Sequence, residues 1–204
     1  MFKDITGKPR PQGSGFDIGA YESEDTTALE TAITSGPANP SGSTTASFSF
    51  RATPDESTFE CQLDGTGFSG CSSPKTYNDL PDGSHTFQVR AQDAVGNPDS
   101  TPASFTWTVD TTAPMIWSVL ASKIKKFSGT ISWTTNEPAD TQVEYGTTSV
   151  LVPSEFTPLI ETRVLTHSQT LSNLVRKTTY YYRVMSRDPA GNQKVSDTSA
   201  FKTR

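Results

Sequence analysis

The chain is 204 residues long, enough for one or two domains, and carries a formal net charge of −5. That mild acidity, with no basic stripe, argues against nucleic acid and anionic membrane as partners, and no apolar run is long enough to span a bilayer. Ser and Thr make up roughly a quarter of the residues, above ordinary globular usage, and Thr suits the outward face of a strand because it is β-branched yet polar.

Residues 1–23 carry Gly7, Pro9, Pro11, Gly13, Gly15 and Gly19, too dense a set of breakers for a helix or a central strand. The opening Met1-Phe-Lys-Asp-Ile-Thr-Gly7 has neither the hydrophobic stretch nor the small-residue cleavage site of a signal peptide. Glu24 to Pro40 is a transition in which Leu29, Ala32 and Ile33 begin a first strand. Thr45 to Phe50 alternates as a second strand and Thr58 to Leu63 as a third. Asp64-Gly65 marks a tight turn, after which Phe68 to Cys71 returns antiparallel. Phe87, Val89 and Ala91 share one face of the next strand, which ends in Asp93-Ala-Val-Gly96-Asn97. Phe105-Thr-Trp107-Thr-Val109 follows as the last strand of this unit.

Asp110-Thr-Thr-Ala-Pro114 reads as a linker, extended at Ala113 by the following proline and too short to flop freely. Strands are then expected at Met115–Val119, Thr130–Thr134 and Gln142–Gly146, with a reversal at Asn136-Glu-Pro138-Ala-Asp140. Lys123, Lys125 and Lys126, the densest positive run, read as a solvated loop or edge strand. Tyr182, Val184 and Ser186 then take the same phase as Phe87, Val89 and Ala91, and Asp188-Pro-Ala-Gly191-Asn192 repeats the earlier turn. A short alternating run at Ala200-Phe201 closes the chain. Asp, Gly and Asn supply the side-chain hydrogen bonds and positive φ that such reversals need. Each copy reads as the last hairpin of a β-sandwich, and the repeat spacing matches one sandwich domain. The expected fold is all-β, with two tandem immunoglobulin-like or fibronectin III-like β-sandwiches at 24–110 and 115–204, joined by 111–114.

Three resemblances attach to these residues. The run Gly15-Phe-Asp-Ile-Gly-Ala-Tyr-Glu22 resembles the closing segment of secreted bacterial parallel β-helix proteins with a pectate-lyase-like solenoid. This implies that 1–23 is a solenoid remnant or a disordered tail, and that an upstream domain of a longer secreted polypeptide carries any catalytic or glycan-binding part. Phe59-Glu-Cys61-Gln-Leu-Asp-Gly65, the nearby Cys71, and Asp82-Gly-Ser-His-Thr-Phe-Gln-Val-Arg-Ala-Gln-Asp93 resemble bacterial extracellular immunoglobulin-like domains over nearly all of 24–110. Ile131-Ser-Trp-Thr-Thr-Asn-Glu-Pro-Ala-Asp-Thr-Gln-Val-Glu-Tyr-Gly146 resembles fibronectin-like modules beside secreted hydrolases. It is also similar to the N-terminal domain of purple acid phosphatases, whose metals belong to the catalytic domain. The fibronectin type III pattern makes Tyr180 the corner tyrosine, its hydroxyl bonding back to the upstream backbone. Arg176-Lys177 departs from the Pro-Gly that many members carry before that corner, which bears on the loop and not on the fold.

Residues that carry chemistry are few. Cys61 and Cys71, the only cysteines, lack the histidines of a zinc site and the spacing of a redox pair, so a disulfide across the hairpin fits best and implies an oxidising compartment. His85 and His167 fall in different units. No Gly-x-Ser-x-Gly elbow, His-Glu-x-x-His pair or phosphate-binding loop occurs, so no enzyme activity is expected. Trp107 and Trp133 fall on the apolar phase of their strands and read as core; Trp117 is the least determined of the three tryptophans. The linker resembles calcium-stiffened junctions of bacterial adhesins. That implies a calcium site of Asp110 and Asp188, with Glu137 and Asp140 as further oxygens; otherwise Asp110 caps a turn and Asp188 serves its own hairpin.

The sequence therefore describes an extracellular or cell-surface, non-catalytic spacer or adhesion module of a larger bacterial protein. The runner-up is a carbohydrate-binding accessory module of a polysaccharide-degrading enzyme, with polysaccharide or cell-surface glycan as partner, which exposed aromatics clustered on one sheet would favour and buried tryptophans would disfavour.

Overall fold

The computed structural model describes residues 29–53, 57–93 and 96–204. The segment compared above with a solenoid remnant lies outside them. Every regular element among the described residues is a β-strand.

The first sandwich uses β1 (Glu30–Ser35), β2 (Ala46–Thr53), β3 (Thr58–Leu63), β4 (Ser69–Cys71), β5 (Lys75–Tyr77), β6 (Gly83–Gln92) and β7 (Ala103–Val109). One sheet has the order β1-β2-β5 and the other β4-β3-β6-β7. Alternation decides which side chains lie between them. Ala46, Phe48, Phe50 and Ala52 of β2 face His85, Phe87, Val89 and Ala91 of β6, all buried. Phe48 stacks on Phe87 with centroids 4.2 Å apart, and Trp107 meets Phe48 edge-on at 5.1 Å. Asp64 and Gly65 both take positive φ, and Thr66 N–H donates to Leu63 O at 3.1 Å, the geometry of a primed hairpin turn. Cys61 and Cys71 form a disulfide with Cα atoms 5.8 Å apart, tying the three-residue edge strand β4 to β3.

The second sandwich uses β8 (Ile116–Ser122), β9 (Gly129–Gly146), β10 (Glu155–Phe156), β11 (Ile160–Leu171), β12 (Thr179–Arg187), β13 (Gln193–Val195) and β14 (Ser199–Lys202). Ile131, Trp133, Val143, Leu171, Tyr180, Tyr182, Val184 and Phe201 form its core. The reversal expected at Asn136–Asp140 is absent, because β9 continues through it. The first part of β9 pairs with β8 and β11, and its end pairs with β12 and β10. Between Thr134 and Ala139 the register against β11 slips, so Asn136, Glu137 and Pro138 bulge out of the ladder. Pro138 is tolerated there because an unpaired position asks for no N–H.

The repeated Asp-x-x-Gly-Asn turns share one geometry. Asn97 N–H and Nδ2 donate to the Asp93 carboxylate at 2.8 and 2.9 Å, and Asn192 N–H and Nδ2 donate to that of Asp188 at 2.9 and 2.8 Å. Gly96 and Gly191 supply positive φ at 90° and 97°. At the other end of β12 the Tyr180 hydroxyl accepts the Val175 N–H at 3.0 Å, and Lys177 takes a left-handed φ of 57°. Tyr180→Phe should destabilise the second sandwich by about 1–2 kcal/mol, because Val175 N–H loses its partner. Denaturant titration followed by probes in each sandwich checks this; equal loss in both would show that the cores are not separate.

Candidate functional site

The place where chemistry-bearing residues gather is the junction between the sandwiches. Its amino-terminal side is built from Ser41, whose N–H donates to Thr108 O at 2.8 Å and whose carbonyl accepts Asp110 N–H at 2.9 Å. Asp82 accepts Thr111 N–H and Oγ1 at 3.1 and 2.8 Å and Thr112 Oγ1 at 3.1 Å, which fastens the linker to the first sandwich. These bonds, the Thr111 hydroxyl foremost, hold the Asp82 carboxyl below its usual value. From the second sandwich, Asn192 Nδ2 donates to Asp110 O at 2.6 Å, and Asn136 Oδ1 accepts Met115 N–H at 2.7 Å. Gly42 lies so close to the Asp188–Asn192 turn that a Cβ would sit 2.9 Å from Ala190 O. A side chain there would push the junction apart.

Asp110, Glu137 and Asp188 each place a carboxylate oxygen within 4.8 Å of the others at this junction. None is paired with a Lys or Arg among the described residues. Burial, then the Asp110 and Asp188 carboxylates, push the Glu137 carboxyl up. Oxygens at opposite sides of a calcium shell lie about 5 Å apart, so the spacing fits that ion. Both oxygens of Asp188 also serve its turn, as those of Asp93 do in the first sandwich, so the turn alone accounts for the residue type. Asp140 stands apart from the cluster, accepting Arg187 N–H at 2.6 Å and lying 3.3 Å from Arg163 Nη1.

The histidines make no catalytic pair. His85 Nδ1 lies 2.8 Å from Asp64 Oδ2, and Nε2 lies 2.9 Å from Pro81 O. An Asp-His pair that activates a nucleophile needs Nε2 as an acceptor, whereas a carbonyl opposite Nε2 demands an N–H. Both nitrogens donate, the imidazolium is favoured, and the Pro81 carbonyl followed by Asp64 pushes His85 upward. Its raised value contributes stability that is full below the ordinary histidine value of about 6.5 and lost as pH rises through the folded value. The first sandwich should therefore melt higher at pH 5.5 than at pH 8, and His85→Gln should flatten that difference; an unchanged slope would remove His85 from the account. His167 is buried, with Nε2 2.9 Å from Thr135 Oγ1 and Nδ1 2.6 Å from Thr141 Oγ1.

Trp107 and Trp133 are each 1% exposed and Trp117 is 44% exposed. Trp133 Nε1 donates to Ser186 Oγ at 2.9 Å, whereas Trp107 Nε1 has no partner among the described residues. Among the described residues the exposed large aromatics are Trp117 on β8, Phe156 on β10 and Phe127 in a loop.

No family model matches the chain, and no curated protein matches it. Solved structures do. The chain is similar to the FN1-FN3 domains of chicken CNTN1, with a TM-score of 0.56 and 14% identity over 85% of this chain and 64% of that one. It is similar to domains A168-A170 from titin, with a TM-score of 0.56 and 17% identity over 86% of this chain and 66% of that one. The chain thus spans about two thirds of each of these structures. At such identities the likeness establishes the fold, that of tandem fibronectin type III-like or immunoglobulin-like sandwiches.

Proposed function

We propose that the chain is a non-catalytic spacer or adhesion module of a larger secreted or cell-surface bacterial protein, holding an upstream solenoid domain at a fixed distance and orientation. The units are 24–110 and 115–204, joined by 111–114. The observation that carries this reading is the built junction. Gly42 packed against Ala190 O, Asn192 bonded to Asp110 O, and Asp82 bonded to Thr111 and Thr112 restrict the joint from both sides. The disulfide fits an oxidising, extracellular setting. Small-angle scattering at neutral pH should fit one elongated arrangement, and Gly42→Val should broaden it without lowering the melting of either sandwich. A wild-type profile that only a freely jointed pair reproduces would overturn the spacer.

Calcium at Asp110, Glu137 and Asp188 belongs to the same proposal, as the ion that would stiffen this joint. Millimolar calcium should raise the melting temperature and a chelator should reverse it. No shift would leave the three carboxylates as parts of turns and remove calcium from the reading. For glycan binding, the buried Trp107 and Trp133 leave Trp117 as the one exposed indole. An unchanged tryptophan spectrum with soluble polysaccharide would exclude a stacking site there.

A further inference from the structure

We propose that His167 is an acid-sensitive latch: in its neutral form it holds the β9 bulge that docks the linker, and its protonation releases the interdomain junction. The proposal rests on the spacer reading and adds regulation to it.

The proton arrangement at His167 follows from its partners. Thr135 Oγ1 lies 2.7 Å from Glu137 O, a group that only accepts, so the Thr135 hydroxyl hydrogen points there. Thr135 Oγ1 must then accept from His167 Nε2–H at 2.9 Å. In a neutral ring the other nitrogen is an acceptor, and Nδ1 receives the Thr141 hydroxyl hydrogen at 2.6 Å. Every hydrogen of the chain Thr141–His167–Thr135–Glu137 is thereby assigned. A second ring proton would face the Thr141 hydroxyl, which has no other acceptor among the described residues.

The surroundings work against a charge. His167 is 1% exposed and stacked on Trp133 at 5.0 Å with an interplanar angle of 7°. Asp140 on β9 attracts the charged form, but it already accepts Arg187 N–H from β12 and lies 3.3 Å from Arg163 on β11 itself. Burial outweighs Asp140 and holds His167 below the ordinary histidine value. A lowered value contributes stability present above the unfolded value of about 6.5 and lost as pH falls from there toward the folded value.

What the chain of hydroxyls holds is the bulge 136–138. Its Asn136 Oδ1 accepts Met115 N–H, the first residue past the linker, and its Glu137 stands with Asp110 and Asp188. Thr135 and Thr141 flank that bulge on β9, so a second ring proton on Nδ1, which turns the Thr141 hydroxyl away, frees one of its two flanks and loosens the segment that seats the junction. The junction carboxylates respond with the opposite sign, since Glu137 is raised and its protonation removes repulsion.

Scattering and hydrogen exchange of the full chain at pH 7.5 and 5.5 test the latch. The expected result is a broader distribution of interdomain arrangements at pH 5.5. The Met115 amide should lose protection, after correction for intrinsic exchange, while Val184 in the core keeps it. His167→Gln, uncharged at both values, should show neither change. If that variant fails to fold, the wild-type Met115 and Val184 amides decide alone. Unchanged Met115 protection, a tighter junction in acid, equal loss at Val184, or a pH response retained in a folded His167→Gln would each overturn the proposal. A junction already loose at pH 7.5 would instead sink the spacer reading.

Discussion

Trp133→Ala is expected to destabilise the second sandwich by about 3–5 kcal/mol, the range for removing a buried tryptophan. The residue is 1% exposed at the centre of a core that includes Ile131, Val143, Tyr182 and Val184. Its loss also leaves Ser186, which is fully buried, without its indole donor, and strips the stacked ring from His167. The first sandwich should keep its own transition, since its buried cluster draws on residues 46–109. Tryptophan to phenylalanine separates packing from hydrogen bonding. Trp133→Phe should cost more than Trp107→Phe, because Trp107 Nε1 has no partner to lose. Differential calorimetry with the three variants checks this; an equal cost for the two phenylalanine substitutions would show that the Trp133–Ser186 bond contributes nothing net.

What the sequence made legible was set by locality. The alternation at Phe48, Phe50, Phe87 and Val89 predicts the face each side chain takes, because strand periodicity is a property of the chain itself. The Asp-x-x-Gly-Asn turns are equally local, with Asp188 and Asn192 meeting across four residues. Asp64 and His85 stand 21 residues apart and meet only through the β3–β6 register, which no spacing announces. His167 shows in the sequence only as a histidine of the second unit, and its partners come from another strand. Pro138 misled for a physical reason. A proline breaks a ladder, and both a reversal and a bulge satisfy that requirement; pairing with β11 on either side selects the bulge. Glu137 was legible only as one of several acidic groups near the linker, since its distance from Asp110 depends on how the two sandwiches meet.

Loss of the Cys61–Cys71 disulfide should cost the first sandwich about 2–3 kcal/mol, the loop-closure entropy of a loop of this length. The bridge is diagonal in the hairpin, for Cys71 stands opposite Phe59 and Cys61 opposite Ser69. It therefore clamps β4 where three paired residues hold an edge strand in place. Other contacts resist the loss: Arg90 lies 2.8 Å from Glu60 and 4.1 Å over the Phe68 ring, and Phe59 packs edge-on to Phe50 at 5.0 Å. The expected outcome is thus a lowered transition for the first sandwich rather than an unfolded one, with β4 fraying first and the second sandwich unchanged. A Cys61→Ser, Cys71→Ser double variant measures it without reductant, and hydrogen exchange locates the fraying. Intact mass after alkylation of the native protein should show no free thiol. Two alkylated cysteines in secreted material would remove both the bridge and the main chemical reason for placing the chain in an oxidising compartment.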